Sequence, residues 1–239
     1  DPGEGARHRG AIAAGAGGAT LPLVLVAAPG GYGKSTLLAA WCEALREQGQ
    51  VVASLALSPL HEDPGLFVED LVEALREGLG ERGGSTTDPG GDAFGSDLLR
   101  RVPALAAESL PGRDGGTAGA RLGRWLRHSL VDTGERITLL LDDYHLLREG
   151  GVADGLIDAL LVGPEAGDGI GLVIATRGRA PRTAARVVAE GRALELGVPD
   201  LSLRADQVEA LITRRLPDVG ARNELVPLVL ARTGGWAMG

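Results

Sequence analysis

Lys34, Ser35 and Thr36 follow Gly30, Gly31 and Gly33 in the run APGGYGKST, residues 28–36. A lysine and a hydroxyl behind a glycine-rich backbone are the parts needed to hold a phosphate chain. Glycines let main-chain N–H groups come close to phosphate oxygens, and a helix start adds a positive dipole. The lysine reaches the outer phosphates, and the serine hydroxyl is a ligand for Mg²⁺. The pattern G-x-x-x-x-G-K-[ST] is met except at its first position, where Ala28 replaces glycine. The expected nucleotide contacts are Pro29, Gly30, Gly31, Tyr32, Gly33, Lys34, Ser35 and Thr36, with Ser35 on the metal. An ordinary glycine turn has no need of Lys-Ser-Thr at a helix start.

Two acids and an arginine could complete the chemistry. The run RITLLLDDYHLL (136–147) is apolar up to Asp142 and Asp143. Alone, that pattern is a polar strand end before a helix cap. Downstream of a phosphate loop, the strand-end acid Asp142 is expected to hold Mg²⁺, directly or through water. Asp143 beside it is expected to orient or deprotonate an attacking water. Arg177 closes the apolar run IGLVIATR (170–177) and could read the terminal phosphate. The competing reading is a surface arginine in the charge run RGRAPR. Lys34, Asp143 and Arg177 are therefore the candidate catalytic residues.

These groups need elements to place them. LPLVLVAA (21–28) is a short apolar, β-branched run bounded by Pro29-Gly30, the mark of a buried strand. KSTLLAAWCEALREQG carries Leu37, Leu38, Trp41 and Leu45 on one helical face and stops at Gly49. VVASLAL (51–57) is a second strand, and 63–80 a helix with Phe67, Leu71, Leu75 and Leu79 four apart. Residues 81–97 are rich in Gly, Ser, Thr and Asp and suggest a surface loop or mobile insertion. Helical stretches near 98–109 and at 120–130 flank a glycine-rich break at 112–119. A helix near 152–162 precedes the strand at 170–177. Strand and helix alternate, which gives a three-layer α/β sandwich with a mainly parallel sheet, the phosphate-loop NTPase class. The expected organisation is a flexible segment at 1–19, a nucleotide domain at 20–202 with a glycine-rich insertion at 81–119, and a small helical lid at 203–239. In the lid, Val208, Leu211, Ile212 and Leu216 share one face, and a second short helix follows. That second helix is too apolar, and the arginines too well offset by acids, for a major-groove reader.

Composition sets limits. With 239 residues and 44% hydrophobic content, the chain can bury one large core. A net charge of −8 argues against a nucleic-acid surface on this part of the protein. Cys42, the single cysteine, excludes an internal disulfide and suits a reducing cytoplasm. The basic start with its apolar stretch is too broken by Gly15, Gly17, Gly18 and Pro22 for a signal peptide. No run approaches the ~20 apolar residues of a membrane span. The lack of an initiator Met suggests a fragment.

Five segments in order, APGGYGKSTL, LLLDDYHLL, IATR, LELGVPDLSLRADQVEALI and TGGWAMG, resemble the signal-transduction ATPases with numerous domains (STAND). The branch they look most like is the maltose-regulator-like, large ATP-binding members of the LuxR transcription factors. The resemblance runs from about residue 20 to 239. It implies that Lys34 and Ser35 bind phosphate and Mg²⁺, that Asp142 is the metal-side acid with Asp143 beside it, and that Arg177 senses the terminal phosphate. Gly235-Trp236-Ala237 is similar to the family's Gly-x-Pro element, which places Trp236 near the nucleotide. Three features depart from the pattern: Ala28, the lack of a clear basic segment before the first strand, and the long loop at 81–97.

The resemblance further implies a switch. ADP would hold a closed monomer with the lid packed down, and ATP with an inducer would favour a self-associating form. Slow hydrolysis of ATP to ADP and phosphate would reset it. Such relatives contact DNA through a LuxR-type domain further along, which these 239 residues do not contain. The alternatives are a metabolic phosphate-loop kinase or ATPase acting on a small molecule, and an interaction module whose nucleotide is only structural. Nothing in the sequence marks an acceptor pocket, and the intact Lys34, Ser35, Asp142 and Asp143 speak against a degenerate site.

Overall fold

The computed structural model describes residues 21–80, 100–104, 114–133, 136–162, 169–216 and 222–237. The segment 1–19, the loop at 81–97 and most of the helical stretch at 98–109 lie outside them; within that stretch 100–104 are helical.

Five strands form one sheet: β1 (Leu23–Ala27), β2 (Val51–Ala56), β3 (Ile137–Asp142), β4 (Ile170–Thr176) and β5 (Ala193–Leu196). Their spatial order is β2-β3-β4-β1-β5, and every pairing is parallel. Parallel strands need crossovers that cover both faces, so their residues are apolar throughout rather than alternating. β4 is buried at all seven positions. At the two edges the apolar pattern lapses: β2 ends buried-exposed-buried-exposed, and β5 is buried only at Leu196.

One helix, α1 (Lys34–Glu47), covers one face with Leu38, Trp41, Cys42 and Leu45 against Val24, Val26, Leu140 and Val173. The other face is covered by α2 (Pro64–Gly80), α3 (Gly115–Thr133), α4 (Val152–Leu160) and α5 (Ala184–Ala189). This is the three-layer α/β arrangement expected from the alternation of strands and helices. A one-turn helix, α6 (Val198–Leu201), leads to α7 (Ala205–Arg215) and α8 (Arg222–Thr233). These two helices pack together, and Leu203 N–H donates to the Gly235 carbonyl at 2.8 Å, tying the end of α8 to the approach to α7.

Two sequence expectations are corrected. The glycine-rich break at 112–119 is not a break from Gly115 onward, because α3 begins there. Its glycines are the contact surface with α4. A Cβ on Gly119 would strike the Val152 carbonyl, and one on Gly155 the Gly116 carbonyl. The backbones touch, and only glycine fits between them. The second correction is an omission: β5, α5 and α6 were not expected as elements. β5 has four residues, and the exposed Glu195 interrupts its apolar run.

The sheet order decides what can meet. β4 lies between β1 and β3, so the loops after β1, β4 and β3 stand side by side at the carboxyl edge. Neighbouring strands are about 4.8 Å apart, so these three loops span roughly 10 Å. β1 is also where the chain turns to opposite sides of the sheet, toward β2 and later toward β5, and a crevice opens at such a point.

Candidate functional site

The glycine loop leaves β1 at Ala28, whose N–H still donates to the Thr176 carbonyl of β4 at 3.2 Å. Ala28 is thus a continuation of the strand, with its side chain buried. It does not need a positive φ, which explains why alanine stands where the strict motif has glycine. The turn itself uses Gly31 at φ 83° and Gly33 at φ 74°, where an L side chain would be strained.

Lys34 opens α1 and is buried, 6% exposed. Its ammonium donates to the carbonyls of Ala28 at 2.7 Å and Pro29 at 2.9 Å. A lysine has three donors, so one remains for an incoming oxygen. Burial first, and the Arg177 guanidinium second, pull the Lys34 ammonium below the ordinary lysine value, with Asp143 and Asp142 opposing. An approaching anion would restore it. The start of α1 has no side-chain cap and no acidic residue in its first turn, so its N–H groups and dipole are not met by the chain's own anion. Ser35 and Thr36 are exposed on that turn.

Asp142 ends β3 and is half-buried; its Oδ1 accepts the Asp143 N–H at 2.8 Å. Asp143 has φ 54°, the one non-glycine positive φ among the described residues. That left-handed turn lifts its carboxylate off the strand line. Arg177 Nε and His145 Nδ1 each lie 3.7 Å from Asp143 Oδ1. Arg177, 54% exposed, also reaches the loop: its Nη1 is 3.6 Å from where a Cβ on Gly30 would sit.

The residue after the turn that ends α8 meets the same glycine. Trp236 Nε1 donates to the Gly30 carbonyl at 3.0 Å. A Cβ on Gly31 would overlap the Trp236 indole nitrogen, so the Nε1 edge of the indole packs directly against the loop. The structure thus brings together Gly30, Gly31, Lys34, Arg177, Asp143 and Trp236, with Asp142 hydrogen-bonded to Asp143. Ser35 and Thr36 follow on the first turn of α1. Pro29 contributes its carbonyl to Lys34, and Tyr32, partly buried, lies in the turn between Gly31 and Gly33.

A set of residues missed by the sequence reading lies behind this front. Asp154 of α4 is fully buried and accepts from the Tyr144 hydroxyl, from Arg179 Nη1 at 2.7 Å and from Gly150 N–H at 2.8 Å. Arg179 Nη2 donates to the Leu147 carbonyl at 2.8 Å, and its guanidinium stacks 4.8 Å over the Tyr144 ring. Burial opposes the Asp154 charge, but these hydrogen bonds outweigh it and hold the carboxyl below its usual range. Burial, then the bond to Asp154, push the Tyr144 phenol far up. The available signal was Asp154 itself, a carboxylate inside the apolar run VADGLIDALL. His145 was missed too, although it belongs to the same Asp-Asp-Tyr-His block. A cavity of about 420 Å³ opens elsewhere, beside His61, Glu62, Asp114 and Arg148, and includes no residue of the glycine loop.

The fold and loop together define a phosphate-loop NTPase domain of the α/β class. No family model matches the chain. Over 127 residues it is 32% identical to the serine/threonine-protein kinase PknK of Mycobacterium tuberculosis, and equally to that of Mycobacterium bovis. The match takes in 52% of this chain and 9% of PknK, so the chain spans a small part of that relative. Among solved structures, the Aeropyrum pernix Orc1 protein in complex with DNA is similar at TM-score 0.48 and 18% identity, over 98% of this chain and 56% of that one. A DNA replication initiation factor is similar at TM-score 0.47 and 14% identity, over 96% and 57%. At these values the fold assignment rests on the strand order and the loop geometry. Among the described residues, no helix is long and apolar enough to cross a membrane.

Proposed function

We propose that this chain is the ATP-binding, slowly hydrolysing switch domain of a larger transcriptional regulator of the STAND class. The observation that carries this reading is that Trp236 donates to the Gly30 carbonyl while Arg177 Nη1 stands beside the same glycine, 3.6 Å from where its Cβ would be. Arg177 follows a sheet strand and Trp236 belongs to the C-terminal helical segment, and both stand at the turn that would cradle the phosphates. A group that senses the terminal phosphate and a group that closes a lid would therefore act at the same turn.

The donor set fits a Mg²⁺–nucleotide. Such an ion takes one or two protein ligands and completes its shell with phosphate oxygens and water; Ser35 and Asp142 are those ligands in this reading. When bound, Mg²⁺ neutralises charge on the phosphates. Lys34 holds its outer oxygens through its third N–H. Asp143 orients or deprotonates the attacking water. Arg177 contacts the terminal phosphate and loses that partner when phosphate departs. Trp236 then keeps the lid on the loop in the ADP state, and ATP with an inducer favours release and self-association. DNA contact belongs to other parts of such a regulator.

The likeness to PknK fits a module within a large signalling protein. It does not carry protein-kinase chemistry here, because the sequence contains neither His-Arg-Asp nor Asp-Phe-Gly. The test is to denature the purified protein and identify what it releases. Bound ADP, with slow ATP turnover after exchange, is the expected result. Phosphotransfer to a small molecule in place of hydrolysis would contradict it.

A further inference from the structure

Asp143 and Arg177 come from different strand ends, yet their facing atoms must stay aligned for both hydrolysis and phosphate sensing. Asp143 is in a left-handed turn, and Arg177 is half-exposed on a loop. Neither position is self-sustaining. The next residue after Asp143 is Tyr144, fully buried, and two residues after Arg177 is Arg179. Both end on the carboxylate of Asp154.

We infer that Asp154 is a positioning residue that locks the exit of β3 to the exit of β4, and so sets the Asp143–Arg177 geometry. This rests on the proposed function for its catalytic meaning, but not for its structural one. Each exit is held at two or more points. On the β3 side, Tyr144 donates to Asp154, Leu146 N–H returns to the Asp143 carbonyl at 2.9 Å, and Gly150 N–H donates to Asp154. On the β4 side, the buried Thr176 hydroxyl donates to the Arg179 carbonyl at 2.6 Å and closes the turn that carries Arg177. The Arg179 guanidinium then crosses to Asp154 and to the Leu147 carbonyl. A buried carboxylate with three donors is held where all of them are satisfied: losing a neutral donor leaves it short of a hydrogen bond, and losing Arg179 leaves its charge without compensation. The lock therefore fixes both exits together rather than each alone.

The test uses the 239-residue chain with Asp154→Asn and Tyr144→Phe. Asparagine keeps the shape but not the charge that holds Arg179. Phenylalanine keeps the ring under Arg179 and removes only the hydroxyl. Two readouts are taken. In ATP hydrolysis, both variants should lose kcat on the order of tenfold to hundredfold, as expected when catalytic groups shift by about 1 Å. ADP affinity should stay within about twofold, since the phosphate loop is untouched. In limited trypsin digestion of the folded protein, cleavage after Arg177 and Arg179 should be faster in Asp154→Asn than in the parent chain. Should Asp154→Asn fail to fold, Tyr144→Phe decides on the same readouts. Parent-like kcat together with parent-like cleavage would overturn the lock. Absence of any hydrolysis in the parent chain would overturn the proposed function instead, and the trypsin map would still decide whether Asp154 positions the Arg177 turn.

Discussion

Trp236 and Gly30 are 206 residues apart in sequence, yet the indole N–H of one donates to the carbonyl of the other at 3.0 Å. The segment after α8, the proposed lid, thereby holds the glycine loop by its main chain, at the turn beside Arg177. The bond is exposed to solvent, so its net value is about 0.5 kcal/mol. Trp236→Phe should keep an aromatic ring beside Gly31 and lose that amount from the contact with the loop. Gly31→Ala should do more harm, because φ 83° strains an alanine and its Cβ meets the indole. Nucleotide titrations should show a modest loss of ADP affinity for Trp236→Phe and a severe loss for Gly31→Ala; equal, negligible effects would mean that the lid does not bear on the loop.

Lys34 should give the site a pH signature. Its ammonium loses protons below the ordinary value of 10.5, chiefly through burial. A phosphate favours the charged form, so affinity is fully present below the lowered pKa and declines as pH rises through it, within the window under 10.5. Without ligand the sign is opposite. The unfolded chain binds more protons in that window, so stability rises with pH there. Thermal shifts with and without ATP across this range measure both trends. At 100 times its Kd a ligand adds about 2.7 kcal/mol, and Lys34→Ala should remove that gain without unfolding the chain.

The paired acids should separate. Asp142→Ala should weaken Mg²⁺-dependent nucleotide binding, because it removes charge beside the metal. Asp143→Asn should leave binding largely intact and slow hydrolysis by roughly 10²-fold or more, because it removes a proton acceptor but keeps the shape. Single-turnover hydrolysis beside a binding titration tells them apart. Native-rate hydrolysis by Asp143→Asn would reduce Asp143 to a structural turn residue.

How much of this was legible in the sequence depends on how local each signal is. Lys34 and Ser35 belong to one short motif, and the strands before the loop, before Asp142 and before Arg177 are continuous apolar runs, so they could be read directly. The beginning of α3 could not, because glycine weighs against a helix until α4 is known to lie against Gly116 and Gly119. β5 is too short, and Glu195 breaks its pattern. Asp154 and Arg179 meet across 25 residues, so neither shows its partner locally. Trp236 entered the candidate site through family resemblance alone, since nothing near it in sequence marks the carbonyl it contacts.

The site should distinguish ATP from ADP, and Arg177, with its side chain 54% exposed, is the residue that would read the difference. A ligand moves an equilibrium only by its difference in affinity for two states. Going from 1:99 to 99:1 needs roughly 5.5 kcal/mol of such difference, more than one half-exposed arginine supplies, so this chain should stay mostly monomeric with ATP alone. The most direct measurement is calorimetric titration of ATP and ADP into the parent chain and into Arg177→Ala. The account predicts that Arg177→Ala loses affinity for ATP more than for ADP, because a charge-assisted contact to the terminal phosphate exists only with ATP. Equal losses for the two nucleotides would contradict it.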